Sequence, residues 1–453
     1  MNGNGRVALA PLYLLLCLLL GGASAAGIWA NLLLQIVGLG VIVWSLAVKR
    51  QSPIATPSRQ LIALLLLLLA VVAIQLVPLP PALWTRLGGR DMIVAGFEML
   101  GQPIPWMPIS LAPHETLASL LWLIPAIALL FAVAKLGAFR ASWLGWTLAL
   151  VAVVSAALGA VQVADASWYF YQITNYGVGT GFFSNANHQA TMLVSTIPFL
   201  AALYLSGRGK GRSAQRSSGL LVILVGIFMI VLVGLVLNGS LAGAGLAIPV
   251  ITGSLAMLWA AKRPLPLWAI AGALAVAAAS LYIPFSTPMG NNLTTTEARS
   301  SQYSRYTSFS VTYQAAKDHM PLGSGIGTFA ELYRTYEDPA AVDTTYINHA
   351  HSDYLELLME TGLLGAAVLL IVLFWWGMRF VATWRTDKPD HFARAASIAS
   401  AAILAHSLVD YPLRTAAVSA LFAMCLALMA EPRPRARRGE EPVAGTQARH
   451  LSA

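Results

Sequence analysis

Twelve apolar runs divide the sequence, at 7–26, 28–48, 60–78, 115–136, 143–163, 187–206, 218–237, 241–261, 264–284, 354–378, 395–411 and 415–430. A helix needs about 20 apolar residues to cross roughly 30 Å of hydrocarbon, and lipid requires each crossing segment to satisfy its own backbone. The spacing therefore predicts an all-α, polytopic integral membrane protein with about twelve transmembrane helices. The last two runs are short, and 218–261 admits another division around Asn238-Gly239-Ser240. Composition agrees: 57% of the 453 residues are apolar and 10% are charged. A soluble chain carries about 25% charged residues, so too few charges are present here to coat a water-facing surface of this size.

The net charge of +9 reads as topology. With the N-terminus in the cytoplasm, 21 of the 28 Lys and Arg fall on the inner side. The positive-inside rule selects that orientation, places both termini in the cytoplasm, and leaves no need for nucleic acid. Arg6, the leucine-rich core and Ala23-Ser24-Ala25 also resemble a signal peptide with its small-residue cleavage site. The run is nearly long enough to stay, and its removal would leave every later orientation unchanged. Cys17 and Cys425 lie far apart inside apolar runs, and nothing suggests a bridge.

Three outer segments are long enough to act. Segment 79–114 is rich in Pro and Trp and is expected to fold as short interfacial pieces. Segment 164–186 carries seven aromatic residues and reads first as an aromatic belt. Segment 285–353 is the largest polar stretch and the place for an extracytoplasmic subdomain. The inner loops are short and basic, so chemistry belongs to the outer face. No D-x-D pair, phosphate-cradling G-x-x-x-x-G-K-[ST], H-E-x-x-H, C-x-x-C or G-x-S-x-G is present.

Asn348-His349-Ala350-His351-Ser352-Asp353-Tyr354-Leu355-Glu356 runs straight into an apolar helix. Asp353 followed by Glu356 fits a carboxylate variant of the capping box and sets the helix start there. Both histidines then stand at the outer mouth, beside a helix end whose N–H groups and dipole favour an anion such as phosphate. Imidazole suits proton transfer near neutral pH. The spacing is equally that of two ordinary polar loop residues, and no third and fourth ligands for a metal are evident. Upstream, Arg305 is of the type that clamps phosphate oxygens, although an outer arginine also serves as an interfacial anchor.

With these residues the sequence resembles the O-antigen ligase and O-antigen polymerase superfamily. The matching elements are Arg305, then Pro321-Leu322-Gly323-Ser324-Gly325-Ile326-Gly327-Thr328-Phe329, His351-Ser352-Asp353-Tyr354-Leu355, and Glu360-Thr361-Gly362-Leu363-Leu364-Gly365. Gly181-Phe182-Phe183-Ser184-Asn185-Ala186-Asn187-His188-Gln189-Ala190 and Gln75-Leu76-Val77-Pro78-Leu79-Pro80 are also similar to members of this group. The resemblance implies a GT-C-like membrane glycosyltransferase of the bacterial inner membrane, inverting, metal-independent and without a cofactor. It would use a polyprenyl-pyrophosphate-linked oligosaccharide on the periplasmic face and a glycan, lipid-A-core or protein-hydroxyl acceptor. His351 takes the acceptor-activating role and His349 a supporting one. Arg305 meets the donor pyrophosphate, with Arg299 and Lys317 as further cations. Asn185, Asn187 and His188 are expected at the mouth, with Asp353, Glu356, Asp410 and Arg414 in support. The implied organisation is spans 1–5 in 1–178, a ligase/polymerase-like region in 179–430 and a basic, Pro-rich cytoplasmic tail in 431–453.

One element departs from the family pattern. Leu241 stands where a second arginine commonly follows serine near the start of a mid-chain span, so Arg299, Lys317 or Arg334 would have to supply that charge, or the donor site differs, or activity is lost. The rival reading is a transporter or flippase of lipid-linked glycan. It rests on His406, Asp410 and Arg414 at four-residue spacing on one helical face. Pro412 is expected to interrupt that face, and Asp410 is expected to pair with Arg414 instead.

Overall fold

Each apolar run that falls on described residues is built as a helix, with ends shifted by a few positions. The computed structural model describes residues 3–24, 28–50, 53–137, 139–208, 214–260, 296–339, 347–386 and 388–431; the side chains of 3–5, 214, 216 and 296–305 lie outside that description. The expected span 264–284, the start of the largest polar segment and the basic tail from 432 fall outside the described residues.

In chain order the helices are α1 (Gly3–Leu20), α2 (Trp29–Ala47), α3 (Thr56–Gln75), α4 (Pro81–Trp84), α5 (Asp91–Met99), α6 (Pro113–Trp122) and α7 (Ile124–Leu130). A π-helical turn, Phe131–Lys135, extends α7. They continue with α8 (Ala141–Asp165), α9 (Ala186–Gly207), α10 (Ala214–Asn238), α11 (Leu241–Ala260), α12 (Thr296–Asp318) and α13 (Phe329–Tyr336). The last three are α14 (Asp353–Arg385), α15 (His391–His406) and α16 (Ala416–Ala430). No strand occurs among the described residues; Leu79 and Met107 form one isolated antiparallel bridge. Among the described residues, eight helical stretches are long and apolar enough to cross a membrane, and Arg6–Leu20 and Ala416–Ala430 are shorter apolar helices. The protein is a polytopic, all-helical membrane protein.

α9 is the central post, packed by α8, α10, α11 and α15. Within its span 83% of residues are buried, against 22% for α10. The difference follows from sequence. α9 carries His188, Gln189, Thr191, Ser195 and Thr196, all buried, whereas α10 is almost wholly aliphatic and suits lipid. Polar side chains in a span turn to the bundle interior because hydrocarbon offers them no partner. α16 packs on α1, α7 and α15 through Ala416, Ala417, Ala420 and Ala427, small residues that let backbones approach.

The Pro/Trp-rich outer segment does fold as short pieces, α4 and α5. The Leu79–Met107 bridge closes it, and buried Trp84 donates its indole N–H to Pro105 O at 2.8 Å. The 164–186 segment is only partly a belt. Trp168, Phe170 and Tyr176 are exposed. Tyr171 instead donates to Leu20 O at 3.3 Å, Tyr169 donates to Val178 O at 3.2 Å, and Phe183 is buried. These inward aromatics fasten the segment to the helix ends, which periodicity alone does not reveal.

Candidate active site

The start of α14 organises the site. Ser352, not Asp353, is the N-cap: its hydroxyl accepts from Leu355 N at 3.4 Å. The expected box is therefore displaced by one residue. Glu356 reaches back past the cap to accept from Ala350 N at 2.9 Å and from His349 Nδ1–H at 2.8 Å. The acids Asp353, Glu356 and Glu360 recur at helical spacing and share one face. Arg414 meets all three, at 3.6, 3.3 and 2.9 Å respectively. Burial works against the Arg414 charge, but Glu356, Glu360 and Asp353 outweigh it and raise its pKa above the ordinary arginine value. The expected Asp410–Arg414 pair is thus replaced by an Arg414 knot of three carboxylates.

Asp410 faces the other way. α15 ends at His406, so the His406–Asp410–Arg414 stripe does not continue along one helix. Asp410 accepts from Asn187 Nδ2 and from Tyr411 N at 2.8 Å. His188 Nε2 lies 3.7 Å and His406 Nε2 4.0 Å from its carboxylate. His406 Nδ1 is hydrogen bonded to Thr191 Oγ1 at 2.7 Å. Above them the buried ring of Tyr411 touches three imidazoles: His349 at 4.5 Å, His188 at 4.9 Å and His351 at 5.2 Å between centroids. Its hydroxyl donates to Asn348 Oδ1 at 3.3 Å. His351 itself has φ +55°, a left-handed conformation seldom adopted by residues other than glycine.

The end of α9 supplies the third wall. Asn185 caps the helix, accepting from Asn187 N at 2.8 Å. Asn187 Oδ1 accepts from Ser240 Oγ at 2.7 Å, and Asn238 Nδ2 donates to Ala186 O at 2.7 Å. Asn187 and His188 thus meet the groups around Asp410 and Tyr411, and His188 is fully buried beneath Tyr411 rather than lining an opening.

The glycine turn of 321–329 is pinned to this assembly. Gln75 ends α3 and donates to Glu360 O at 2.8 Å while accepting from Ile326 N at 3.0 Å. Glu360 Oε1 accepts from Gly327 N at 2.7 Å, and its carbonyl accepts from Gly325 N at 2.8 Å. A Cβ on Gly323 (φ +79°) would stand 2.5 Å from Glu360 O, so the turn approaches α14 as only glycine permits. Gly362 (φ +58°, ψ −151°) breaks α14 at the same level, freeing Leu363 N to donate to Pro321 O at 2.8 Å.

Of the other expected residues, Lys317 does not join the described cluster. Arg299 and Arg305 stand in the first half of α12, with side chains outside the described residues. Lys317 is exposed near the end of α12, its ammonium over the Tyr313 ring at 5.8 Å. Leu241 opens α11 and is exposed. Tyr411, Gln75 and Glu360 had no assigned role in the sequence reading. Gln75 and Glu360 stood within family-like stretches without a role of their own, and Tyr411 showed only as an aromatic beside an intramembrane acid.

Residues 225–370 match the family model described as O-antigen ligase. That stretch runs from α10 through the first part of α14 and supports the resemblance to the O-antigen ligase and polymerase superfamily. It indicates a glycosyl-transfer function of the ligase or polymerase type, with lipid-linked glycan and acceptor as its general substrates. No curated protein matches the chain.

Proposed function

With residues 225–370 in the O-antigen ligase and polymerase superfamily, we propose that the protein transfers or polymerises oligosaccharide from a polyprenyl-pyrophosphate donor on the periplasmic face. The acceptor hydroxyl gives its proton to His351 as its oxygen attacks the anomeric carbon from the face opposite the leaving group. The bond from that carbon to the pyrophosphate oxygen breaks, and the configuration inverts. Arg305 meets the charge growing on pyrophosphate, with Arg299 and Lys317 as further cations, since preorganised charge at the leaving group lowers the barrier. His349 is held to Glu356 and keeps the loop in place.

The observation that carries this reading is the meeting of His349, His351 and His188, from distant parts of the chain, around one tyrosine. The transporter reading loses its continuous stripe at His406. The test is the glycan profile of a null strain complemented with wild type or His351→Ala. Loss of long-chain glycan, accumulation of lipid-linked donor and rescue by wild type alone are expected. Finished but unattached polymer then identifies a ligase, and stranded single repeats a polymerase. Full complementation by His351→Ala overturns the chemistry.

A further inference from the structure

At the end of the bundle away from the histidines, α1 and α8 run side by side and leave a groove of about 310 Å³ between them. Ala8, Leu12 and Leu15 line one wall, and Trp143, Thr147 and Leu150 the other. Both helices end at the 180–183 segment, since Gln162 donates to Gly181 O at 3.0 Å and a Cβ on Gly22 would stand 2.1 Å from Phe182 O, so they run parallel. The Thr147 hydroxyl donates to Trp143 O at 2.9 Å, and the rest of the wall, which includes the rings of Trp143 and Trp146, is largely apolar. Arg6 stands two residues before Ala8 and Arg140 three before Trp143, near the starts of the two helices. Two cations therefore mark the same end of an apolar channel. The Arg140 guanidinium is exposed and sits over the Trp143 ring at 5.2 Å, directly at that mouth.

A narrow, dry groove on a membrane-facing surface takes a hydrocarbon chain, and paired arginines at its end take an anionic group. We propose that this groove is a binding site for one anionic phospholipid, its acyl chain between α1 and α8 and its phosphate between Arg6 and Arg140. Charge complementarity chooses this occupant over a neutral lipid. The short loops on this side are the basic ones, and a leaflet rich in anionic lipid faces them under the positive-inside rule. The proposal stands apart from the transfer reaction and does not depend on it.

The test is native mass spectrometry of the purified full chain in detergent. The probes are phosphatidylglycerol, phosphatidylcholine with the same acyl chains, and glycerol 3-phosphate. Wild type is expected to retain phosphatidylglycerol over phosphatidylcholine by about thirtyfold, the combined effect of two arginines at an anionic headgroup. Arg6→Gln with Arg140→Gln equalises the two lipids, and Arg6→Lys with Arg140→Lys restores most of the preference. Leu12→Trp fills the groove and loses both lipids; Ala8→Leu does the same if Leu12→Trp fails to fold. An unchanged preference in the glutamine variant, lipid retained by a filled groove, or competition by glycerol 3-phosphate as strong as by lipid overturns the site.

Discussion

Four residues separate Asp410 from Arg414, yet the two charges live in unlike surroundings. Arg414 lies among three carboxylates, and both oxygens of Glu356 and of Glu360 are engaged by a guanidinium, an imidazole or a backbone N–H. Asp410 is approached by imidazoles only at 3.7 and 4.0 Å, and the ring nitrogens of His188 make no hydrogen bond among the described residues. The first group is a locked knot that fixes where α14, the glycine turn and the 412–414 loop meet. The second holds its imidazoles short of close contact with the carboxylate. The two are joined through the backbone, since Asp353 N donates to Ser407 O at 3.0 Å and Asp410 O at 3.2 Å. Rigidity on one side of that junction thus fixes the position of Asp410 on the other.

Breaking the knot should have the largest effect. Arg414→Met leaves three buried carboxylates without their cation, and breaking such a pair costs about 3–5 kcal/mol. The expected outcome is loss of folded, monodisperse protein on size exclusion in detergent. Folded protein with a wild-type melting temperature would show that the knot is not structural. His351→Ala should separate the two groups. Transfer falls by about 10²–10⁴-fold, the usual worth of a general base, while the melting temperature stays at the wild-type value. A large drop in melting temperature instead would make the strained histidine a structural element.

Gln75→Leu comes next. It strands Ile326 N and removes one of the two donors to Glu360 O, and an unsatisfied buried group costs about 1–3 kcal/mol. Faster hydrogen exchange across 324–327 is expected, with a smaller loss of stability than for Arg414→Met. The smallest effect concerns pH. Burial pushes His319 below the ordinary histidine value, opposed by its hydrogen bond to Ala315 O at 2.9 Å and reinforced by Arg90. The folded state thus holds this imidazole neutral while the unfolded chain takes up a proton. Stability contributed there is present above about pH 6.5 and falls as pH drops through that value. A Cβ on Gly89 would lie 2.2 Å from His319 Nε2, so the loss should appear as proteolysis near 87–90 in mild acid. His319→Gln should flatten that dependence.

Much of the fold was legible because hydrocarbon enforces one rule on every span, and a run of apolar residues records it locally. The candidate site was legible where its residues are neighbours in sequence, as at 348–356 and 185–188. The capping box slipped by one residue because Ser352 and Asp353 are both good caps, and only tertiary bonds from Asp353 to Ser407 and Leu413 decide between them. The roles of Tyr411 and Gln75 were not legible for a different reason. Each acts on partners far away in sequence, and a single sequence carries no trace of such a meeting. The Asp410–Arg414 pairing failed likewise: four-residue spacing implies contact only where a helix continues, and Pro412 follows the end of α15.

The break at Gly362 sets a depth mark. Uninterrupted, a helix of 33 residues would be about 50 Å long, well beyond the roughly 30 Å of hydrocarbon. The portion after the break, 363–385, measures about 34 Å and alone matches the apolar layer. Asp353, Glu356 and Glu360 then ride above that layer, in the headgroup zone where hydrocarbon gives way to water. A single glycine thereby calibrates the elevation of the whole polar platform against the lipid on which its donor travels.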